Sequence, residues 1–94
     1  MEIATSNIIK SDAGRDSGKL FVVTSTDGEY LWLVDGKSRK VEQPKRKKRK
    51  HVAFVAEGTT RLAQKIQHGE HITNSEVRRA LAEFREDIQM DQEG

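Results

Sequence analysis

The chain has 94 residues, 34% of them hydrophobic and 34% charged, with no cysteine and a formal net charge of +2. That is one domain's worth of chain with one small core, so an enzyme with a deep two-sided cleft is disfavoured from the outset. Without cysteine there is neither a disulfide frame nor a thiolate zinc site. No stretch approaches the roughly 18 apolar residues of a membrane span, and the start, Met1-Glu2-Ile3-Ala4-Thr5, does not have the form of a signal peptide. The expected setting is cytoplasmic. Charge is unevenly spread. Residues 1–52 carry 12 Lys or Arg against 7 Asp or Glu, giving +5, and residues 53–94 carry 5 against 8, giving −3. A basic first half is expected if only that half meets a polyanion.

In chain order, Asn7–Ser11 is a short strand candidate. Asp12 to Gly18 is turn-rich, with two glycines that permit positive φ and Asp and Ser side chains that bond local backbone. Lys19-Leu20-Phe21-Val22-Val23-Thr24-Ser25 reads as a strand. Thr26-Asp27-Gly28-Glu29 is a hairpin signal, and Tyr30-Leu31-Trp32-Leu33-Val34 is the returning strand. A second Asp-Gly pair, Asp35-Gly36, predicts another tight turn into a polar edge strand, Lys37–Val41. Gln43-Pro44 then ends the meander, and Lys45-Arg46-Lys47-Lys48-Arg49-Lys50 reads as an unbroken basic loop. His51–Val55 is the fifth strand candidate. Five short strands with tight turns favour a small barrel.

The period changes at Gly58. Thr59 or Thr60 caps a short helix through Gln67, with Leu62, Ala63 and Ile66 on one face, and Gly69 ends it. Thr73-Asn74-Ser75-Glu76 has the form of a capping box. Val77, Leu81, Phe84 and Ile88 form one apolar stripe on a helix of about four turns. Residues 91–94 are expected to fray.

Residues 8–23 resemble a KOW motif, with Gly18 at the motif's turn glycine and Lys19 beside it. Residues 13–20 and 33–45, followed by a basic run, and then Ile72–Leu81, look like one group in particular. These are bacterial KOW-domain RNA-binding proteins related to the archaeal and eukaryotic-type ribosomal protein family L-fourteen-e. The resemblance covers about residues 7–88. It implies a mainly β fold: a small five-stranded SH3-like barrel over residues 1–57, with a basic loop at 45–50 and a helical extension over 58–90. It also implies RNA binding, to ribosomal RNA. Ribosomal proteins are expected as further partners, and the free protein is expected to be a monomer.

Six adjacent cations repel one another unless counterions or phosphates neutralise them, so Lys45, Arg46, Lys47, Lys48, Arg49 and Lys50 are the first RNA-binding candidates. Pro44–Lys50 also has the form of a nuclear import address, but strands on both sides favour an intra-domain loop. In the turn, Gly14 and Gly18 would let backbone N–H groups approach a phosphate, with Arg15 and Lys19 supplying charge. Arg39 and Lys40 on the polar strand are next, with Lys10 and Lys37 in the resembling segments. Phe21, Tyr30, Trp32 and Phe54 are either base-stacking groups or core. Alternation puts Tyr30, Trp32 and Val34 on one face and Leu31 and Leu33 on the other. His51, His68 and His71 do not form a metal set, and no cofactor or catalytic constellation is expected. A second reading is a KOW-type protein-interaction module of the transcription or translation machinery, docking through the Val77/Leu81/Phe84/Ile88 stripe.

Overall fold

A computed structural model describes residues 2–93, with side chains described through Phe84. Five strands come first: β1 (Ile8–Ser11), β2 (Leu20–Asp27), β3 (Tyr30–Val34), β4 (Lys45–Lys48) and β5 (Val52–Ala56). Two helices follow, α1 (Thr60–Gln67) and α2 (Asn74–Glu93). The strands make one antiparallel sheet in the order β4-β3-β2-β1-β5. β4 and β5 stay unpaired with each other, so the sheet curls like a barrel without closing. This is a small SH3-like β fold with C-terminal helices, as expected. The side chain of Ile88 lies outside the described side chains; residues 91–93, expected to fray, continue α2, and Gly94 lies outside the described residues.

β2 explains how one sheet serves two cores. Leu20, Phe21, Val22 and Val23 are an unbroken apolar run, which suits a strand covered on both faces. Phe21 and Val23 face the barrel interior with Ile3, Ile9, Leu31, Leu33 and Val52. Leu20 and Val22 face the other way, with Ile8 and Val34, and meet Leu62, Ile72, Val77, Ala80 and Leu81 of the helical segment. Each fully buried side chain of this kind contributes about 1.5–3 kcal/mol from burial alone. The extension is therefore part of the core. Val77 and Leu81 of the predicted stripe are fully buried, and Phe84 packs at the edge of the same cluster.

The helix ends follow the sequence signals. Thr59 accepts a hydrogen bond from the Leu62 N–H at 3.1 Å. At the far end, Gly69 at φ +68 lets the Glu70 N–H reach the Lys65 carbonyl (2.8 Å) and the Gly69 N–H reach the Ile66 carbonyl (3.1 Å). This is a Schellman cap. Thr73 and Glu76 exchange bonds in a capping box: Glu76 N–H to Thr73 Oγ1 and Thr73 N–H to Glu76 Oε1, both 3.1 Å.

Two expectations need correction. The stretch Lys37–Val41 is a loop, not a strand. The buried Asp35 carboxylate captures the N–H groups of Lys37 (2.9 Å) and Arg39 (2.7 Å), which takes two donors away from a ladder. The basic run is not a loop either. Lys45–Lys48 is β4, paired to β3 in the register Leu33↔Lys45, Trp32↔Arg46, Leu31↔Lys47 and Tyr30↔Lys48. Arg49–His51 is a single 3-10 turn leading into β5. An edge strand tolerates consecutive cations because lysines there discourage pairing with another sheet.

The β2–β3 hairpin is also sharper than expected. Asp27 pairs with Tyr30, so the two loop residues are Gly28, at φ +58, and Glu29, rather than the Asp-Gly pair itself. A bulge at Thr24 resets the alternation: Val23 faces Leu33, but Ser25 faces Trp32 and Asp27 faces Tyr30. The bulge thereby puts Ser25 and Asp27 on the same outer face as the two half-exposed aromatics.

Candidate nucleic-acid interface

Register decides what each cation can do. Residues directly opposite in an antiparallel pair point to the same side. Lys45 and Lys47 therefore share the inner face of Leu33 and Leu31, and Arg46 and Lys48 share the outer face of Trp32 and Tyr30. The basic run splits in two.

The inner set is spent within the fold. Lys45 makes an ion pair with Asp16 in the β1–β2 turn. Lys47 Nζ donates to Ser11 Oγ at 2.6 Å and to the Ala13 carbonyl at 2.7 Å. Arg49, in the following turn, donates from Nε to the Gly28 carbonyl (2.6 Å) and from a terminal nitrogen to the Ile3 carbonyl (2.7 Å). These three cations tie the sheet edge to the β1–β2 turn, the β2–β3 hairpin and the N-terminal segment. The hydrogen bond from Lys45 holds the Asp16 carboxyl below its ordinary value; partial desolvation opposes this, and the charges of Lys45, Lys19 and Lys47 reinforce it.

The turn from Asp12 to Lys19 is thus brought against β4. Gly14 (φ +75) and Gly18 (φ +88) are left-handed as the turn requires. Gly18 does not offer its N–H to a phosphate, because that group already donates to the Ser11 carbonyl at 2.8 Å. Arg15 and Lys19 are exposed, with Lys19 standing 3.9 Å from Asp16. Lys10 is exposed on β1, opposite Leu20 and Ala53.

The loop after β3 presents a second group of cations. Asp35 is 5% exposed and accepts bonds from the N–H groups of Lys37 and Arg39 and from Ser38 Oγ (2.7 Å). Burial works to raise its pKa, but the bonds from Arg39, Ser38 and Lys37 outweigh it and hold the carboxyl below its ordinary value. The loop is also anchored to α2: Asn74 Oδ1 accepts from the Val41 N–H at 2.8 Å, and Arg78 donates to the Gly36 carbonyl. Gly36 must be glycine, since a Cβ there would lie 2.5 Å from the Asn74 carbonyl oxygen. Pinned in this way, the loop turns Lys37, Arg39 and Lys40 outward, all exposed.

The third group lies on the outer face of β3 and β4. Among the described residues, the helical side chains that pack on this face do so with Val34. Tyr30 and Trp32 are half-buried and belong to neither core cluster. The Arg46 guanidinium lies 4.5 Å from the Tyr30 ring centroid, and Lys48 Nζ 5.8 Å. Of the four aromatic candidates, Phe21 is core, Phe54 is 36% exposed on the β5 edge, and Tyr30 and Trp32 form a pair with cations beside them. Alternation in the sequence put these two on one face. What it left out was that the basic run alternates too, which is what joins Arg46 and Lys48 to the aromatics.

The fold and this surface define a small antiparallel SH3-like protein braced by helices, with exposed cations on the β1–β2 turn and the β3–β4 connection, Arg46 exposed and Lys48 half-buried on the outer face of β4, and Lys50 exposed in the turn after it. No protein-family model matches the chain, and no curated protein matches its sequence.

Proposed function

We propose that the protein is a non-enzymatic RNA-binding protein, associated with the ribosome and contacting ribosomal RNA through the basic side of its barrel. One observation carries this reading. After the fold has used Lys45, Lys47 and Arg49, the side chains of Lys37, Arg39, Lys40, Arg46, Lys48 and Lys50 have no ion-pair partner among the described residues. The Asp35 carboxylate and the α2 anchors hold the 35–41 loop in place with Lys37, Arg39 and Lys40 exposed, so these cations are offered to a partner at fixed positions. Phosphate contacts from such groups supply affinity and orientation without reading sequence. The resemblance to KOW-domain proteins supports the ribosomal part of the proposal. The alternative, docking through the α2 stripe, loses its surface where Val77 and Leu81 are buried on the sheet.

Sedimentation of native extract through a sucrose gradient tests the ribosomal part. The protein should travel with large subunits at low salt and be stripped from them at high salt. Its absence from ribosomal fractions at low salt would refute that part of the proposal.

A further inference from the structure

The outer face of β3 and β4 has a chemistry that phosphate binding alone does not require. We infer that Trp32 and Tyr30, with Arg46 and Lys48, form a stacking site for unpaired bases, so that the protein engages single-stranded or looped-out RNA there rather than a duplex. This rests on the RNA-binding reading above.

Side chains two apart on a strand project from the same face about 6.5–7 Å from each other. Tyr30 and Trp32 are such a pair. Both are half-buried and belong to neither core cluster among the described residues. The Thr24 bulge places the small Ser25 opposite Trp32 on one flank, and the β4 register places Arg46 on the other. Trp32 is therefore flanked by one small and one long, flexible side chain and remains partly exposed. Arg46 already lies over the Tyr30 ring, presenting a planar cation on which a base can also stack. Lys48 adds a charge for the accompanying phosphate. Asp27 and Glu29, at the hairpin tip, repel a phosphate backbone and steer the strand toward the Trp32 and Arg46 end. Bases inside an A-form duplex have no free faces to offer such a surface, whereas single strands, bulges and loops do.

Trp32 is the only tryptophan in the chain, so its emission reports directly on this site. The experiment titrates the full-length protein with an oligouridine single strand and, separately, with a blunt RNA duplex of equal length, following both Trp32 emission and anisotropy of labelled RNA. The single strand should quench Trp32. Trp32→Ala should weaken single-strand binding by roughly 5- to 150-fold, the usual range for one lost base–aromatic stack, and leave duplex binding within a factor of about two. Trp32→Phe, which keeps a ring, should retain most of the affinity. The wild-type quenching guards against a Trp32→Ala variant that fails to fold. RNA that binds without quenching Trp32, with Trp32→Phe and Trp32→Ala both as tight as wild type, overturns the stacking site and leaves the RNA-binding reading standing. Failure of both RNAs to bind overturns the two together.

Discussion

Lys47 and Lys48 are neighbours of the same kind in a run of six cations, yet their side chains leave opposite faces of β4. Replacing each by methionine should separate stability from binding. Lys47→Met removes the donor to Ser11 Oγ and to the Ala13 carbonyl, and Ser11 is 1% exposed. A hydrogen bond from a charged group is worth about 1.5–3 kcal/mol when its partner is left dry. Ser11 Oγ keeps a bond to the Ala13 carbonyl at 3.2 Å, and water can reach part of the site, which lowers the combined cost. The expected loss is about 2 kcal/mol, a fall in Tm of about 8–16 °C for a domain of this size. Lys48→Met removes an outward cation beside Tyr30 and should change stability by less than about 0.5 kcal/mol. It should also make the salt dependence of single-strand binding shallower by about 0.7 in log–log slope, the share of one phosphate contact. Thermal melts by circular dichroism and binding titrations at several salt concentrations measure both. Equal melting of the two variants, or an unchanged Lys47→Met melt, would refute the division of the basic run into structural and binding halves.

Asp35→Ala should cost about 2–4 kcal/mol, since it strips three hydrogen bonds from the 35–39 loop, and a urea melt would detect it. The folded pKa of Asp35 lies below its ordinary 3.8, so its contribution is present above that value and lost as pH falls through the folded one. Wild-type stability should therefore drop in the acid range below about pH 4, and Asp35→Asn should flatten that drop. Gly58→Ala should cost about 1–3 kcal/mol or more, because its Cβ would lie 2.2 Å from the Ser6 carbonyl oxygen in a segment where Ser6 is itself left-handed at φ +71. Gly69→Ala meets no atom within 4 Å and should cost only about 1–2 kcal/mol for its positive φ, so paired chemical melts should rank the two.

Much of the fold was legible because local signals and burial agreed. The β2 run, the hairpin at Gly28, the Thr59 cap and the Thr73–Glu76 box each needed only nearby residues. The second Asp-Gly pair misled because a tight turn and an Asx-bonded loop begin with the same residues. The choice between them was made by Asn74 and Arg78, more than 30 positions later. The basic run misled for a related reason. Charge density reads as solvation, but β4 gains partners from Asp16, Ser11 and the edge of β3, all distant in sequence. Once β4 is a strand, its period of two assigns Lys45 and Lys47 inward and Arg46 and Lys48 outward. The residues of the candidate site were therefore visible from composition, while their roles depended on a long-range register.

The most direct test of RNA binding through the outward cations is the affinity for single-stranded RNA measured across a salt series. If about five phosphates are neutralised, log K should fall with log salt at a slope of about −3.5. Neutralising Lys37, Arg39, Lys40, Arg46, Lys48 and Lys50 together should abolish most of that slope while the variant still melts cooperatively. Affinity that ignores salt, or that survives the six substitutions, would contradict the account.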